Sequence, residues 1–168
     1  LEEYYAIDGS YIGQIGASTK IRVLTTNENL NLLFDLVKGP DGMNPKMEEL
    51  YISNSVEAFK NTPENEETVL REWAIQHRKK TAENRIEYAM SLFTKTLRNE
   101  DGEPFEVFIE GTTVSGKKTT GEGRVNILDS KPSSGKYKLN YKGWSLSSRS
   151  STIHTHPSGG PKDFSGLE

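Results

Sequence analysis

Cysteine is absent from all 168 residues, which removes disulfides, thiolate nucleophiles and every zinc site built on sulfur. A metal could be held here only by histidine and carboxylate. Zinc nucleobase deaminases, which need P-C-x-x-C, are excluded on the same ground. There is no long apolar run, mean hydropathy is −0.68, and Leu1-Glu-Glu-Tyr-Tyr has neither the basic start nor the apolar centre of a signal peptide. Neither a membrane span nor a membrane partner is expected. Charge of one sign is also lacking: 21 basic and 24 acidic residues leave a net charge of −3, with no like-charge run long enough to form a phosphate-binding face. Nucleic acid is therefore not an expected partner. With no initiating Met, the sequence is expected to be a piece of something longer, of a size for one domain and a small extra module.

What is present reads as strands, then helices, then strands. Tyr4 to Gly16 places β-forming residues on both sides of Asp8-Gly9, a dipeptide suited to a tight hairpin turn. Ile21 to Thr26 follows as a strand. Asn27 can cap a helix carrying Leu30, Leu32, Leu33, Leu36 and Val37, which Gly39-Pro40 stops. Met47, Leu50, Tyr51, Val56 and Phe59 predict a second helix, and Thr62-Pro63 followed by Glu64, Glu66 and Glu67 is a helix start. From Thr68 to about Leu97 the apolar positions Val69, Leu70, Trp73, Ile75, Ile86, Ala89, Met90, Phe93 and Leu97 keep a helical period, with Arg78-Lys-Lys80 as a point where it divides in two. Strands are expected at Phe105–Ile109, Gly123–Leu128, Lys136–Tyr141 and Ser150–His156.

Two of the three histidines stand one residue apart in the last of these strands. Side chains on a strand alternate faces, so His154 and His156 point the same way, roughly 6 to 7 Å apart at the backbone. Two imidazoles at that spacing can converge on one ion. Pro157 ends the strand, Ser158-Gly-Gly-Pro161 can turn the chain back, and Ser165 and an acid are then available beside the pair. Two neutral imidazoles and one carboxylate leave a Zn²⁺ position open for water, as catalytic sites do. An H-x-H pair by itself is also common in surface strands; the Pro, Gly pair, Ser and acid behind it are what favour a metal.

His154-Thr-His156-Pro157 followed by Ser165-Gly-Leu-Glu168 resembles the JAMM motif of the JAB/MPN metallopeptidases, in which H-x-H-P leads to S-x-x-D. The resemblance covers Thr62 to Glu168. It implies an α/β fold, a curved mixed β-sheet flanked by helices, here preceded by a small β-hairpin and a helical N-terminal segment. It implies Zn²⁺ held by His154, His156 and Glu168, with Ser165 steadying the carbonyl oxygen, and a zinc-dependent peptidase or isopeptidase activity. The acid is Glu168 where the family has Asp, one residue further on; Asp163 is the substitute. The family also uses an upstream glutamate as general acid/base on a strand that follows a helix. Glu106 is the first candidate, Glu110 the second and Glu103 the third. The expected partner is a protein or peptide substrate, including ubiquitin-like or isopeptide-linked ones. The alternative is a catalytically inactive JAB-like scaffold or protein-binding module.

Tyr5 to Gly16 is similar to the segment that precedes C-terminal effector domains in bacterial polymorphic toxins, including Rhs-type proteins. That implies a toxin domain of a larger secreted or delivered bacterial protein, with a cognate immunity protein as a further partner. The expected division is 1–61 for a hairpin and helical pre-toxin segment and 62–168 for a JAB-like domain cut short at its C-terminus.

Other features carry less. His77 is expected near the surface of its helix, and Trp73 and Trp144 as core or lid aromatics. Gly111 and Gly116-Lys117 approach a P-loop, but Lys118 stands where the hydroxyl residue is needed, and a turn between strands is expected. Amidohydrolases and PHP-type phosphoesterases open with H-x-H but need later histidines, and none follows His156.

Overall fold

The computed structural model describes residues 2–15, 20–24, 55–116, 125, 130–131 and 149–156. Strands β1 (Glu2–Tyr5) and β2 (Tyr11–Ile15) form the hairpin expected around Asp8-Gly9. Ser10 donates to Asp8 Oδ1 from its backbone N at 2.9 Å and its Oγ at 2.6 Å. These two bonds hold the Asp8 carboxyl below its ordinary range. Gly9 has φ 92°, and a Cβ there would stand 2.6 Å from the Thr96 carbonyl oxygen. Only glycine allows the turn to lie so close, and the Arg98 N–H reaches Gly9 O at 2.8 Å.

Strand β3 (Ile21–Leu24) runs parallel to β1 and antiparallel to β4 (Ser55–Lys60). The second helix expected through Val56 and Phe59 is thus a strand at those residues. Val56 packs on one core cluster, and Phe59 stacks on Phe108 with centroids 5.4 Å apart. A strand with apolar residues on both faces satisfies a spacing of three as readily as one of two, which is why the sequence misleads here. The expected helix at 27–37, its loop, and Met47, Leu50 and Tyr51 lie outside the described residues.

Helix α1 (Pro63–Asn84) begins where the sequence indicates: Thr62 Oγ1 accepts from Asn65 N at 3.2 Å, Pro63 opens the first turn, and Glu64 and Glu66 sit at the positive end of the dipole. Such a cap contributes roughly 1 kcal/mol. Its buried stripe is Val69, Leu70, Trp73, His77 and Thr81. His77 is therefore a core residue and not a surface one. It stacks on Trp73 at 4.5 Å, donates from Nδ1 to Trp73 O at 2.8 Å, and burial lowers its basicity. Both groups lie one turn apart on the same face, so the aromatic pair packs as a unit.

The helix stops well short of Leu97. Arg85 takes a left-handed conformation, φ 54°, and its N–H closes on Thr81 O at 2.8 Å. The chain then enters β5 (Tyr88–Arg98), so Ala89, Met90, Phe93 and Leu97 are strand residues. β5 turns into β6 (Pro104–Glu110), which leads to the short β7 (Val114–Ser115); β8 (Arg149–His154) is the last described strand. All three pair antiparallel with β5. Residues Ala89 to Phe93 are buried without a break, and that continuity lets the segment pass for a helix. The expected strands at Gly123–Leu128 and Lys136–Tyr141 lie, Val125 apart, outside the described residues.

Among the described residues the protein is mixed α/β: one helix and eight strands in one mixed sheet, ordered β2-β1-β3-β4-β6-β5, with β7 and β8 also on β5. Strands from both sides of residue 61 share the sheet, since β4 pairs with β3 through Ser55–Ala58 and with β6 through Phe59–Lys60. Met90, Leu92, Phe108 and Ile153 lie under α1 against Val69, Leu70 and Trp73. Phe93, Leu97, Val107 and Ile109 turn to the opposite face with Tyr5, Ile21 and Val23. A fully buried side chain of this size stabilises by about 1.5–3 kcal/mol. No helix among the described residues is long and apolar enough to cross a membrane.

Candidate metal centre

Alternation along β8 sorts its side chains. Ser151, Ile153 and Thr155 face α1: Ile153 packs in the cluster beneath the helix, Ser151 Oγ donates to Glu66 Oε1 at 2.6 Å, and Thr155 Oγ1 hydrogen-bonds Thr81 Oγ1. His154 and His156 consequently share the other face. Their rings lie 4.8 Å apart, tilted by 53°, with the two Nε2 atoms 3.1 Å from each other. Strand geometry gives the shared face, and the imidazoles converge on it.

The carboxylate beside them is Glu87. β5 and β8 are antiparallel with Ala89 opposite His154, so two residues further along each strand Glu87 lies opposite His156. Glu87 Oε2 is 3.9 Å from His156 Nδ1, while Glu87 Oε1 accepts from Val125 N at 3.3 Å. One oxygen is thus anchored on backbone and the other is turned to the histidines. The Glu87 side chain is 13% exposed and that of His156 37%, which places the group at the end of the sheet, within reach of solvent.

One ligand atom from each of Glu87, His154 and His156 lies within 4.8 Å of the others. This group could hold a metal ion. Two imidazole nitrogens on one tetrahedral Zn²⁺ at 2.0–2.1 Å would stand roughly 3.4 Å apart, close to the observed separation of the pair. Imidazole with carboxylate is a donor set that suits Zn²⁺ and other borderline divalent ions.

The structure does not bring the three expected glutamates to this group. Glu106 lies opposite Thr96, seven residues along β5 from Ala89 (96 − 89), or about 23 Å. It is exposed, accepts a hydrogen bond from Asn61 Nδ2, and borders a cleft at the far end of the β5–β6 hairpin together with Glu103. Glu110 lies opposite Leu92 and shares the α1 side of the sheet with Phe108, away from the imidazoles. Ser165, Glu168 and Asp163 lie outside the described residues, as does Trp144. Gly111 is confined for a packing reason: a Cβ there would meet the Phe93 ring at 2.6 Å and Ser130 Oγ and Ser91 O at 2.8 Å.

Glu110 has a separate, measurable property. Desolvation pushes its carboxyl above the ordinary range, and Glu57 and Glu72 add repulsion. A carboxyl raised in the folded state holds its proton longer than in the unfolded chain, so stability falls as pH rises through the folded-state value. Glu110→Gln is expected to raise the urea midpoint at neutral pH, and that gain should vanish by about pH 3, where both states are protonated. An equal gain at both pH values would contradict the desolvation account.

Comparison with family models, with curated proteins and with solved structures found no match to this chain. Fold and geometry therefore define the class on their own: a mixed α/β protein with a Glu-His-His group at the end of its sheet. Glu87 is not a candidate on the sequence alone, because the helical spacing from Thr68 to about Leu97 places it inside a helix. A local signal existed, in that Tyr88, Phe93, Thr94 and Thr96 after Asn84-Arg85 are strand-forming residue types.

Proposed function

We propose that the protein is a Zn²⁺-dependent peptidase or isopeptidase of the JAB/MPN type, working as the effector domain of a larger secreted bacterial protein. The observation that carries the metal-dependent part is the meeting of Glu87 with His154 and His156 at the neighbouring ends of β5 and β8; the effector part rests on the resemblance of the segment Tyr5 to Gly16. His154 and His156 would hold the ion, with Glu168 as the expected further ligand. Glu87 takes the proton-handling role that the sequence assigns first to Glu106, since it follows a helix, stands directly before β5 and faces the imidazoles. A Zn²⁺ ion with an open position supplies Lewis acidity, polarising a carbonyl and acidifying water.

The chain's own groups then have distinct tasks. Glu87 Oε2 would accept a proton from the attacking water and return it to the departing amine, so that the carboxylate is regenerated. Its anchored Oε1 keeps the carboxylate aimed at the site. Ser165 would donate a hydrogen bond to the carbonyl oxygen as negative charge gathers there.

Treatment of the protein with phenanthroline is expected to abolish cleavage of peptide or isopeptide substrates, and added Zn²⁺ to restore it, with about one ion bound per chain. Cleavage that survives complete removal of metal would overturn the proposal. Stoichiometric Zn²⁺ binding without hydrolysis of any such substrate would replace the enzyme with a metal-binding scaffold.

A further inference from the structure

Thr155, the residue between the two histidines, points away from them and under α1. It is 2% exposed and Thr81, its partner on the helix, is 1% exposed. Their hydroxyls hydrogen-bond each other. Thr155 Oγ1 also accepts from Tyr88 N at 3.1 Å, and Thr155 N donates to Tyr88 O at 2.9 Å. Thr81 O meanwhile receives the Arg85 N–H that ends the helix.

These bonds lie where the regular ladder gives out. The last paired residues of β5 and β8 are Ala89 and His154, so His156 and Glu87 both stand beyond it. Thr155 is covalently next to both histidines, and Tyr88 is next to Glu87. The Thr155–Tyr88 bonds therefore extend strand pairing by one step and hold His154, His156 and Glu87 in register. The Thr81 hydroxyl ties that step to the helix.

We propose that Thr81 and Thr155 are positioning residues for the metal centre, their buried hydroxyl pair setting the register at which Glu87 meets His154 and His156. This rests on the metal-centre reading given under the proposed function. A hydroxyl is needed because a hydrogen bond has direction and a methyl group of equal size does not.

The test compares Thr155→Val and Thr81→Val, which keep shape and lose the hydroxyl, with Thr155→Ser and Thr81→Ser, which keep the hydroxyl. In folded protein held well below its melting temperature, the valine variants are expected to bind Zn²⁺ about 10–100-fold more weakly, the range for residues that orient ligands. The visible absorption of the Co²⁺ form should change in the valine variants and match the parent in the serine ones. A purely structural role would lower melting temperature in the valine variants while leaving Zn²⁺ affinity and the Co²⁺ spectrum unchanged, and that result would overturn the proposal. Should Thr155→Val fail to fold, Thr81→Val carries the same test, since it removes the hydroxyl pair that ties Thr155 to the helix while leaving Thr155 itself unchanged. Failure of the parent protein to bind either ion would overturn the metal centre itself, and the positioning role with it.

Discussion

Glu87→Gln is expected to bind Zn²⁺ as the parent does and to hydrolyse peptide or isopeptide roughly 10²–10⁴ times more slowly, the usual contribution of a positioned proton-transfer group. Glutamine has nearly the same shape, and its side-chain oxygen can still accept the Val125 N–H that anchors Glu87. What it cannot do is take a proton from water. The loss should appear in kcat/KM at unchanged metal content, measured by native mass spectrometry. Glu106→Gln and Glu110→Gln serve as controls and should leave hydrolysis intact, because those carboxylates lie on the α1 side of the sheet. Parent-like hydrolysis in Glu87→Gln would remove the proposed base. Loss of the ion together with activity would instead make Glu87 a ligand.

His154→Ala should have the larger effect on the ion. Residues that merely orient a ligand cost about 10–100-fold in affinity when changed, so removal of a direct ligand should exceed that range. The fold should tolerate it: His154 lies outside both core clusters, on the face away from α1, while Ile153 next to it carries the packing. Equilibrium dialysis against Zn²⁺, with circular dichroism as the check on folding, separates the two effects. Unchanged metal content in a folded His154→Ala protein would sink the centre. His156→Ala should behave alike, since its ring stands within 4.8 Å of its partner's.

The parts of the fold that could be read from the sequence are those written locally. The Asp8-Gly9 hairpin, the Thr62 cap with Pro63, and the strands at Phe105–Ile109 and Ser150–His156 each rest on residues within a few positions of one another. β4 and β5 look helical in the sequence for one shared reason. Their apolar residues are covered on both faces, so the period of two is erased and a spacing of three or four fits by coincidence. The helix ends in a left-handed turn at Arg85, a residue with no special liking for that conformation, so the local mark of the break is the strand-forming Tyr88, Phe93, Thr94 and Thr96 that follow it.

The site divides along the same line. That two imbedded facts, an absence of cysteine and a pair of histidines one residue apart, leave histidine and carboxylate as the only metal donors follows from the sequence, and so does the shared face of His154 and His156, because alternation is a property of any strand. Which carboxylate joins them was decided by tertiary structure alone. Glu106, Glu110 and Glu87 are alike as residue types, and what separates them is the antiparallel register of β5 on β8, which sets Glu87 opposite His156 and turns the other two to the far face. Register is a long-range property, selected by burial on both sides of the sheet, and a change of one residue would have carried every side chain to the opposite face.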